Sequence, residues 1–404
     1  MLPAYVAGAL LACCAPRNAA QSPAIWPQPG MTETHAAHNT LEKTLDARNL
    51  DKLVQLWSFS TGGPISAPIV VQDGMAFVSS ADGFLYAVNA RTGAQVWKFR
   101  TFTDGQAQDA PVVSGAHIFV ACLADGNPQQ NGICGLRTAN GTRAWSYFLN
   151  CGCAPAAGLA AAPVVLGATL LVPYYQSSAG GKTVLQVVNG DTGKPLWNYA
   201  YPGGNGGGPS PAAPAIANGA AYAGEQYSRS VCSVNLSNKS EDWCLPTDDD
   251  YNAVAVYKNV VYVNTYSHGV YAFNASNASQ IWHYTPSGNY SGTNDPPAVA
   301  QGIVYVAGIG FDGSLYALNA STGALVYTTQ PGTGGAAITE SSPSVANGVV
   351  YVGCRSGVCA FDAANGALLR AFGTPGGRQS PPAVVNGVVY ATCGANAACA
   401  YGLR

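Results

Sequence analysis

Apolar residues along this chain fall in short runs that are broken again and again by Gly, Asn, Asp and Pro. Such punctuation predicts many short strands joined by tight turns, with few helices. The pattern also repeats, at a period of roughly 40 to 50 residues, which is the range of propellers and solenoids. Its clearest copy runs Ala67-Pro68-Ile69-Val70-Val71, Gly74, Met75-Ala76-Phe77-Val78, Asp82-Gly83, Leu85-Tyr86-Ala87-Val88-Asn89, Thr92-Gly93 and Trp97-Lys98-Phe99. Pro heads a buried run, Gly74 makes a first turn and Asp82-Gly83 is a hairpin dipeptide. Thr92-Gly93 then turns the chain into an aromatic-x-aromatic strand, so each unit is predicted to hold four antiparallel strands.

Eight copies of the unit are present. The first aromatic of the fourth strand falls at Trp57, Trp97, Trp145, Trp197, Trp243, Trp282 and Tyr327, with Arg370 in the remaining place. The opening run recurs at Ala110-Pro111, Ala162-Pro163, Ala213-Pro214, Pro296-Pro297, Ser342-Pro343 and Pro381-Pro382, and as Val254-Ala255 in the fifth unit. The last unit supplies three strands, while a fourth-strand signature, Leu56-Trp57-Ser58-Phe59, stands alone ahead of the first unit. Together those two pieces complete one sheet. The expected fold is therefore all-β: an eight-bladed β-propeller of four-stranded antiparallel blades over 53–404, closed by pairing of the N-terminal strand with the C-terminal strands. A solenoid would need a cap at each end instead. Indoles in nearly every unit suit packing between sheets better than a binding platform, which needs aromatics at one place only.

Composition narrows the setting. Charged residues make up 9% of the chain, against about a quarter in ordinary globular proteins. Net charge is −2 with no basic block, so the footprint of a nucleic-acid partner is missing. Residues 1–20 hold an apolar run, Ala4 to Ala12, too short to span a bilayer and suited to an export signal. Leu10-Leu11-Ala12-Cys13 also has the form of a lipoprotein box, which would put a lipid anchor at Cys13. Residues 21–52 then form a lead-in segment. Ten further cysteines fall in close pairs: Cys122/Cys134, Cys151/Cys153, Cys232/Cys244, Cys354/Cys359 and Cys393/Cys399. Three pairs bracket the same hairpin of their unit, as disulfides in an oxidising compartment would. Sequence does not fix the pairing, and Cys151-Gly152-Cys153 has a spacing that also invites metal. Asn-x-Ser/Thr triplets at Asn140, Asn235, Asn238, Asn274, Asn277, Asn289 and Asn319 would carry glycans in a host that modifies exported proteins.

Asn89-Ala90-Arg91-Thr92-Gly93 before Trp97, and Leu318-Asn319-Ala320-Ser321-Thr322-Gly323 before Tyr327, resemble the repeat of pyrroloquinoline quinone (PQQ)-type propellers. The lead-in Trp26-Pro27-Gln28, His38-Asn39-Thr40, Asn49-Leu50 and Leu56-Trp57 is similar to that of many bacterial members, including polyvinyl-alcohol-dehydrogenase-like proteins. The resemblance covers nearly all of the chain after the export signal and implies the propeller fold. It leaves activity open between a PQQ-dependent, calcium-assisted alcohol dehydrogenase and a cofactor-free module like the outer-membrane assembly scaffold. The dehydrogenases typically stack their quinone on a disulfide between adjacent cysteines, and the adjacent pair here, Cys13-Cys14, lies in the export signal. No Cys-x-x-Cys-His run for a covalent haem occurs.

Residues just ahead of a propeller's innermost strands crowd the central channel. In this chain those positions hold Asp109, Asp250, Asp295, Glu340 and Arg378, with Gln108, Asn294 and Gln379 beside them. Converging carboxylates repel unless a cation or an Arg compensates. Such a set could hold calcium, orient a sugar or supply a general base, with Asp295 the candidate base. The alternative is a set of solvated turn formers at loop ends. His117, His268, His283 and the pair Glu225/Arg229 show no nucleophile or ligand pattern. The expected function is a non-catalytic extracytoplasmic binding or scaffold module, meeting a protein or glycan through its loop-rich face. A PQQ-dependent dehydrogenase and a glycosylated subunit of an extracellular assembly are the alternatives.

Overall fold

The computed structural model describes residues 25–102, 109–123, 131–149, 161–176, 182–201, 213–225, 229–247, 252–286, 291–292, 295–309, 313–329, 338, 341–374 and 379–404. These residues form eight sheets, seven of them with four antiparallel blade strands in chain order from the centre outward and the eighth completed by a strand from the other end of the chain. Blade 1 comprises Val70–Gln72, Met75–Ser80, Phe84–Asn89 and Gln95–Arg100, and blade 2 Val112–Ser114, His117–Leu123, Asn131–Arg137 and Arg143–Phe148. Blade 3 comprises Val164–Leu166, Thr169–Gln176, Lys182–Asn189 and Pro195–Ala200, and blade 4 Ala215–Ala217, Ala220–Glu225, Ser230–Asn235 and Glu241–Pro246. Blade 5 follows with Asn252–Tyr257, Val260–Thr265, Val270–Asn274 and Gln280–Tyr284, and blade 6 with Ala298–Ala300, Ile303–Ile309, Leu315–Asn319 and Leu325–Thr329. Blade 7 holds Ser344–Ala346, Val349–Cys354, Gly357–Asp362 and Leu368–Phe372. Blade 8 takes Ala383–Val385, Val388–Thr392 and Ala397–Gly402 from one end of the chain and Val54–Ser60 from the other.

That last pairing closes the ring as the repeat count requires. Trp57 stands opposite Ala400 and Ser58 opposite Cys399. Trp57, Ala383 and Tyr390 of blade 8 pack in one cluster with Ile69, Val71 and Tyr86 of blade 1. A Pro precedes seven of the eight inner strands and holds them to three residues, because it cannot donate to a ladder. Blade 5 lacks that Pro, and its inner strand stays paired back to Asn252 opposite Thr265.

Among the described residues, four disulfides staple the blades. Cys122–Cys134, Cys354–Cys359 and Cys393–Cys399 join the second and third strands of blades 2, 7 and 8, each with a Cα–Cα separation of 5.8 Å. Cys232–Cys244 joins the third and fourth strands of blade 4. Cys151 and Cys153 lie outside the described residues, as do residues 1–24 with Cys13 and Cys14. Bonds of this kind persist in oxidising compartments and set the chain outside the cytoplasm. Among the described residues no helix is long and apolar enough to cross a membrane.

Neighbouring blades are locked by one recurring contact. Asn89 Oδ1 accepts from the Arg91 and Thr92 N–H groups, and the Gly93 N–H donates to the Asn89 carbonyl, so the chain bends tightly between third and fourth strands. The Trp57 indole of blade 8 lies over this turn and donates Nε1–H to the Ala90 carbonyl at 2.9 Å. Gly93 is needed twice over: its φ is +71°, and a Cβ there would come within 2.8 Å of the indole. The same bond runs from Trp97 to Thr138, Trp145 to Gly190, Trp243 to Ala275 and Trp282 to Ala320, each time one blade on. A second-strand tyrosine shares the carbonyl in several blades: Tyr390 at Ala90, Tyr262 at Ala320 and Tyr305 at Ala363. Burial pushes these three hydroxyls up to about 12, which keeps them protonated donors. Blade 8 has no turn between its third and fourth strands, because those strands come from opposite ends of the chain. Arg370 of blade 7 accordingly donates to the Leu50 carbonyl, in the 3₁₀ turn Leu50–Lys52 just ahead of Val54–Ser60. That explains why one Trp position carries Arg.

Residues 25–39 run round the inside of the ring. Ile25–Trp26 pairs antiparallel with the inner strand of blade 1, Trp26 opposite Val71. Val113 N–H of blade 2 donates to the Pro27 carbonyl (2.7 Å), and Val165 N–H of blade 3 to Gln28 Oε1 (3.2 Å). Blades 4 to 7 follow in order: Ile216 to Glu33 (2.6 Å), Val256 to Thr34 (2.9 Å), Val299 to Ala36 (2.8 Å) and Val345 to Ala37 (2.8 Å). Asn39 Nδ2 closes the circuit by donating to the Val384 carbonyl of blade 8 (2.7 Å). So sharp a curve needs left-handed residues, and Gly30, Met31, His35 and Ala37 have φ of +70°, +69°, +56° and +48°. The segment then leaves the ring under blades 7 and 8. There the buried Glu42 accepts from the Thr44, Leu45 and Gly387 N–H groups, and Leu45, Leu50 and Leu53 pack on Tyr351, Val384 and Tyr401.

Two measurements test these contacts. Gly93→Ala and Gly74→Ala both put a Cβ at positive φ, but only Gly93 has the indole against it, Gly74 having nothing within 4 Å. Chemical denaturation is expected to show a loss of about 1–2 kcal/mol for Gly74→Ala and about twice that or more for Gly93→Ala. The second concerns His35, which is 2% exposed, with neither ring nitrogen hydrogen-bonded. Burial, only partly offset by the nearby Val254 backbone, lowers its pKa from 6.5 to about 4. The unfolded chain therefore binds a proton between those values that the folded chain refuses. His35 costs nothing above pH 6.5, and up to ~3 kcal/mol of stability is lost as pH falls to 4. In His35→Asn that part of the acid slope is expected to vanish, whatever the offset in overall stability.

Candidate functional site

On one face of the ring the blades are joined to one another and their second strands turn into their third. Three of the residues singled out ahead of the inner strands belong to the described part of this face. Asp109 opens blade 2, Asp295 opens blade 6, and both are half-buried. Blades 2 and 6 stand opposite each other in an eight-membered ring, so the channel separates these two carboxylates. The Asp295 carbonyl accepts a long bond from Asn264 Nδ2 of blade 5 (3.4 Å). Gln379 opens blade 8 and is buried. Gln108, Asp250, Asn294, Glu340 and Arg378 lie outside the described residues.

Gln379 belongs to a polar cluster at the mouth of the channel between blades 7 and 8. Its Oε1 accepts from Thr392 Oγ (2.9 Å), and Thr392 Oγ accepts in turn from the Ser380 N–H (3.2 Å). Within blade 7 the Gly353 N–H donates to Ser341 Oγ (3.1 Å), and across the blade boundary Ser344 Oγ donates to the Pro382 carbonyl (2.6 Å). Gly353 permits the approach, since a Cβ there would stand 2.6 Å from that of Gln379 and 2.9 Å from that of Ser341. Ser380 Oγ is buried and has no hydrogen-bond partner. Of this cluster the sequence reading singled out Gln379 alone. The available signal was the echo of Glu340-Ser341 in Gln379-Ser380, two polar residues at the same place ahead of the inner strands of adjacent units.

The remaining candidates serve structure. His117 Nδ1 lies 3.5 Å from Asp191 Oδ1 between blades 2 and 3. His283 stacks on Tyr271 with ring centroids 3.9 Å apart, and its Nε2 meets the His268 carbonyl at 2.8 Å. Among the described residues no three His, Cys, Asp or Glu side chains gather where they could hold a metal ion. The described residues do not fit a quinone seat either. Trp57, Trp97, Trp145, Trp243 and Trp282 have their Nε1–H committed to the next blade. Each described disulfide joins two strands of one blade and none joins adjacent residues. What the described residues build is a cup, walled by the upper ends of the inner strands and floored by residues 25–39.

Comparison with known proteins adds the following. Tetrathionate hydrolase of Acidithiobacillus ferrooxidans is 26% identical over 331 residues, covering 78% of this chain. The quinohemoprotein alcohol dehydrogenase ADH-IIG of Pseudomonas putida is 26% identical over 215 residues, half of this chain. The alignments cover 58% and 28% of those two relatives. Among solved structures, quinohemoprotein alcohol dehydrogenase from Comamonas testosteroni superposes with a TM-score of 0.74 at 14% identity, covering 95% of this chain and 81% of its own. BamB from Moraxella catarrhalis gives 0.55 at 16% identity, covering 87% of this chain and all of its own. At such identities these two structures share the fold alone. The family model for outer membrane protein assembly factor BamB matches residues 48–257 and 252–403, nearly the whole propeller, and the chain therefore belongs to this PQQ-like propeller family.

Proposed function

We propose that the protein is a non-catalytic extracytoplasmic binding or scaffold module that meets a protein or glycan partner through the face where its blades are joined. The carrying observation is how the polar residues at the mouth are used. Gln379 bonds to Thr392 within blade 8, Ser341 to the Gly353 backbone within blade 7 and Ser344 to the Pro382 carbonyl across the boundary, while Gly353 packs against Gln379, and so these residues brace the frame. A frame braced in this way, with stapled hairpins and a floored channel, presents its connecting segments on a rigid support, as recognition surfaces need. Exposed Asn140, Asn238 and Asn277 sit on turns between third and fourth strands, at the opposite ends of the strands, so glycans there would leave the recognition face clear.

Similarity to tetrathionate hydrolase and to quinohemoprotein dehydrogenases favours a second reading, an enzyme with its substrate in the cup and Asp295 as base. Two assays divide the readings. On arrays of glycans and envelope proteins the full chain is expected to bind a partner saturably, and the Glu340→Ala/Arg378→Ala double variant at least about tenfold more weakly with an unchanged melting curve. With added PQQ, calcium and an alcohol, and separately with tetrathionate, no turnover is expected. Dye reduction that saturates in PQQ, or tetrathionate consumption, lost in Asp295→Asn in either case, would replace the module with the enzyme.

A further inference from the structure

The inner edge of a propeller blade is an unpaired strand edge. In this ring the occupant of all eight edges is a single peptide segment, residues 25–39, held mainly through its main chain. The contacts follow one rule: in each blade they fall on the same register position, Val71, Val113, Val165, Ile216, Val256, Val299, Val345 and Val384, the residue two before the turn into the second strand. From blade 4 to blade 7 the partners are carbonyls of Glu33, Thr34, Ala36 and Ala37, so recognition there is independent of side chains. Trp26 supplies the anchor, buried among Ile69, Val71, Ala383 and Val385 where blades 8 and 1 meet. Glu33 is the one acidic residue in the segment, which has no Lys or Arg and two histidines, His35 and His38. The family match begins at residue 48, so the segment stands outside the part of the chain that defines the ring.

We propose that the inner wall of the ring is a peptide-binding seat, that residues 25–39 are its ligand in cis, and that it accepts an extended, largely uncharged peptide of this kind supplied in trans. Recognition is the β-edge mode, in which main-chain hydrogen bonds give affinity and one buried side chain fixes the register. Three features make the segment separable. Its three non-glycine residues with positive φ hold the bound curve against backbone preference. Its link to Val54–Ser60 is exposed at Thr40, Leu41, Lys43, Thr44, Ala47 and Arg48, with Glu42 and Leu45 alone of residues 40–48 buried. And the backbone ladder that closes the ring, Val54–Ser60 on Ala397–Gly402, takes no hydrogen bond from the segment, which meets it only through the Trp26 side chain.

The experiment keeps the full chain. A recognition site for a sequence-specific protease is inserted between Ala47 and Arg48, folding is verified by an unchanged melting curve before cutting, and the cut protein is followed by size exclusion and circular dichroism. The freed segment is expected to co-elute with an intact ring, and to be displaced by excess of a fluorescent synthetic peptide with the sequence of residues 25–42. A peptide carrying Trp26→Ala is expected to compete at least about tenfold less well, and Val256→Pro, which removes one inward N–H at a channel-facing edge, to weaken the peptide roughly fivefold. A ring that unfolds when the segment leaves, a segment that no peptide displaces, or a scrambled peptide that competes equally would each overturn the proposal. So would a stable dimer on concentrating the uncut chain, which would make a second copy the occupant.

Discussion

Every blade of a closed ring ends, at its centre, in a row of backbone N–H and C=O groups with no further strand to pair with. A buried donor left in that state costs about 1–3 kcal/mol, and here the problem arises once per blade. Residues 25–39 answer it with one circuit of the channel, from Trp26 at blade 1 to Asn39 at blade 8. The same circuit lines the channel near the end where the first strands turn into the second. The strained residues of the segment, the buried neutral His35 and the buried Glu42 carboxylate all follow from forcing a short peptide round so tight a circle and out beneath blades 7 and 8.

If the circuit secures the centre, the indole-over-glycine contact secures the rim. Five blades hand an indole N–H to a carbonyl of the next and blade 6 hands the Tyr327 hydroxyl, and a tyrosine from the second strand often takes the other lone pair of that carbonyl. This chain of identical contacts fixes the angle between blades. It meets its exception where the chain's two ends share a blade, and there Arg370 reaches the Leu50 carbonyl in place of an indole. Lead-in, closing strand and rim contact are thus one device, with residues 25–60 touching every part of the ring.

The polar mouth between blades 7 and 8 shows why function was harder to read than fold. Gln379 was picked out as a ligand-facing residue, and the structure commits it to Thr392 and packs it on Gly353. Asp109 and Asp295 looked alike as carboxylates ahead of inner strands, yet they sit across the ring from each other. A residue's place in its own repeat gives the face it occupies. It does not give which other repeat it meets, and chemistry at a shared site depends on that second fact.

Local, periodic chemistry settled the number of blades, the strands of each and the closing of the ring by Val54–Ser60, and it put the cysteines of the four described disulfides in close pairs whose bonding the structure then shows. All of these pair residues within one unit or within one predictable register. Tertiary structure alone decided the path of residues 25–39, the partner of Arg370 and the meeting of Gln379 with Ser341 and Gly353. These contacts join positions as far apart as Glu33 and Ile216 through backbone groups. Backbone donors and acceptors are the same at every residue, so no residue type announces them, and only the curvature of the assembled ring brings them within reach.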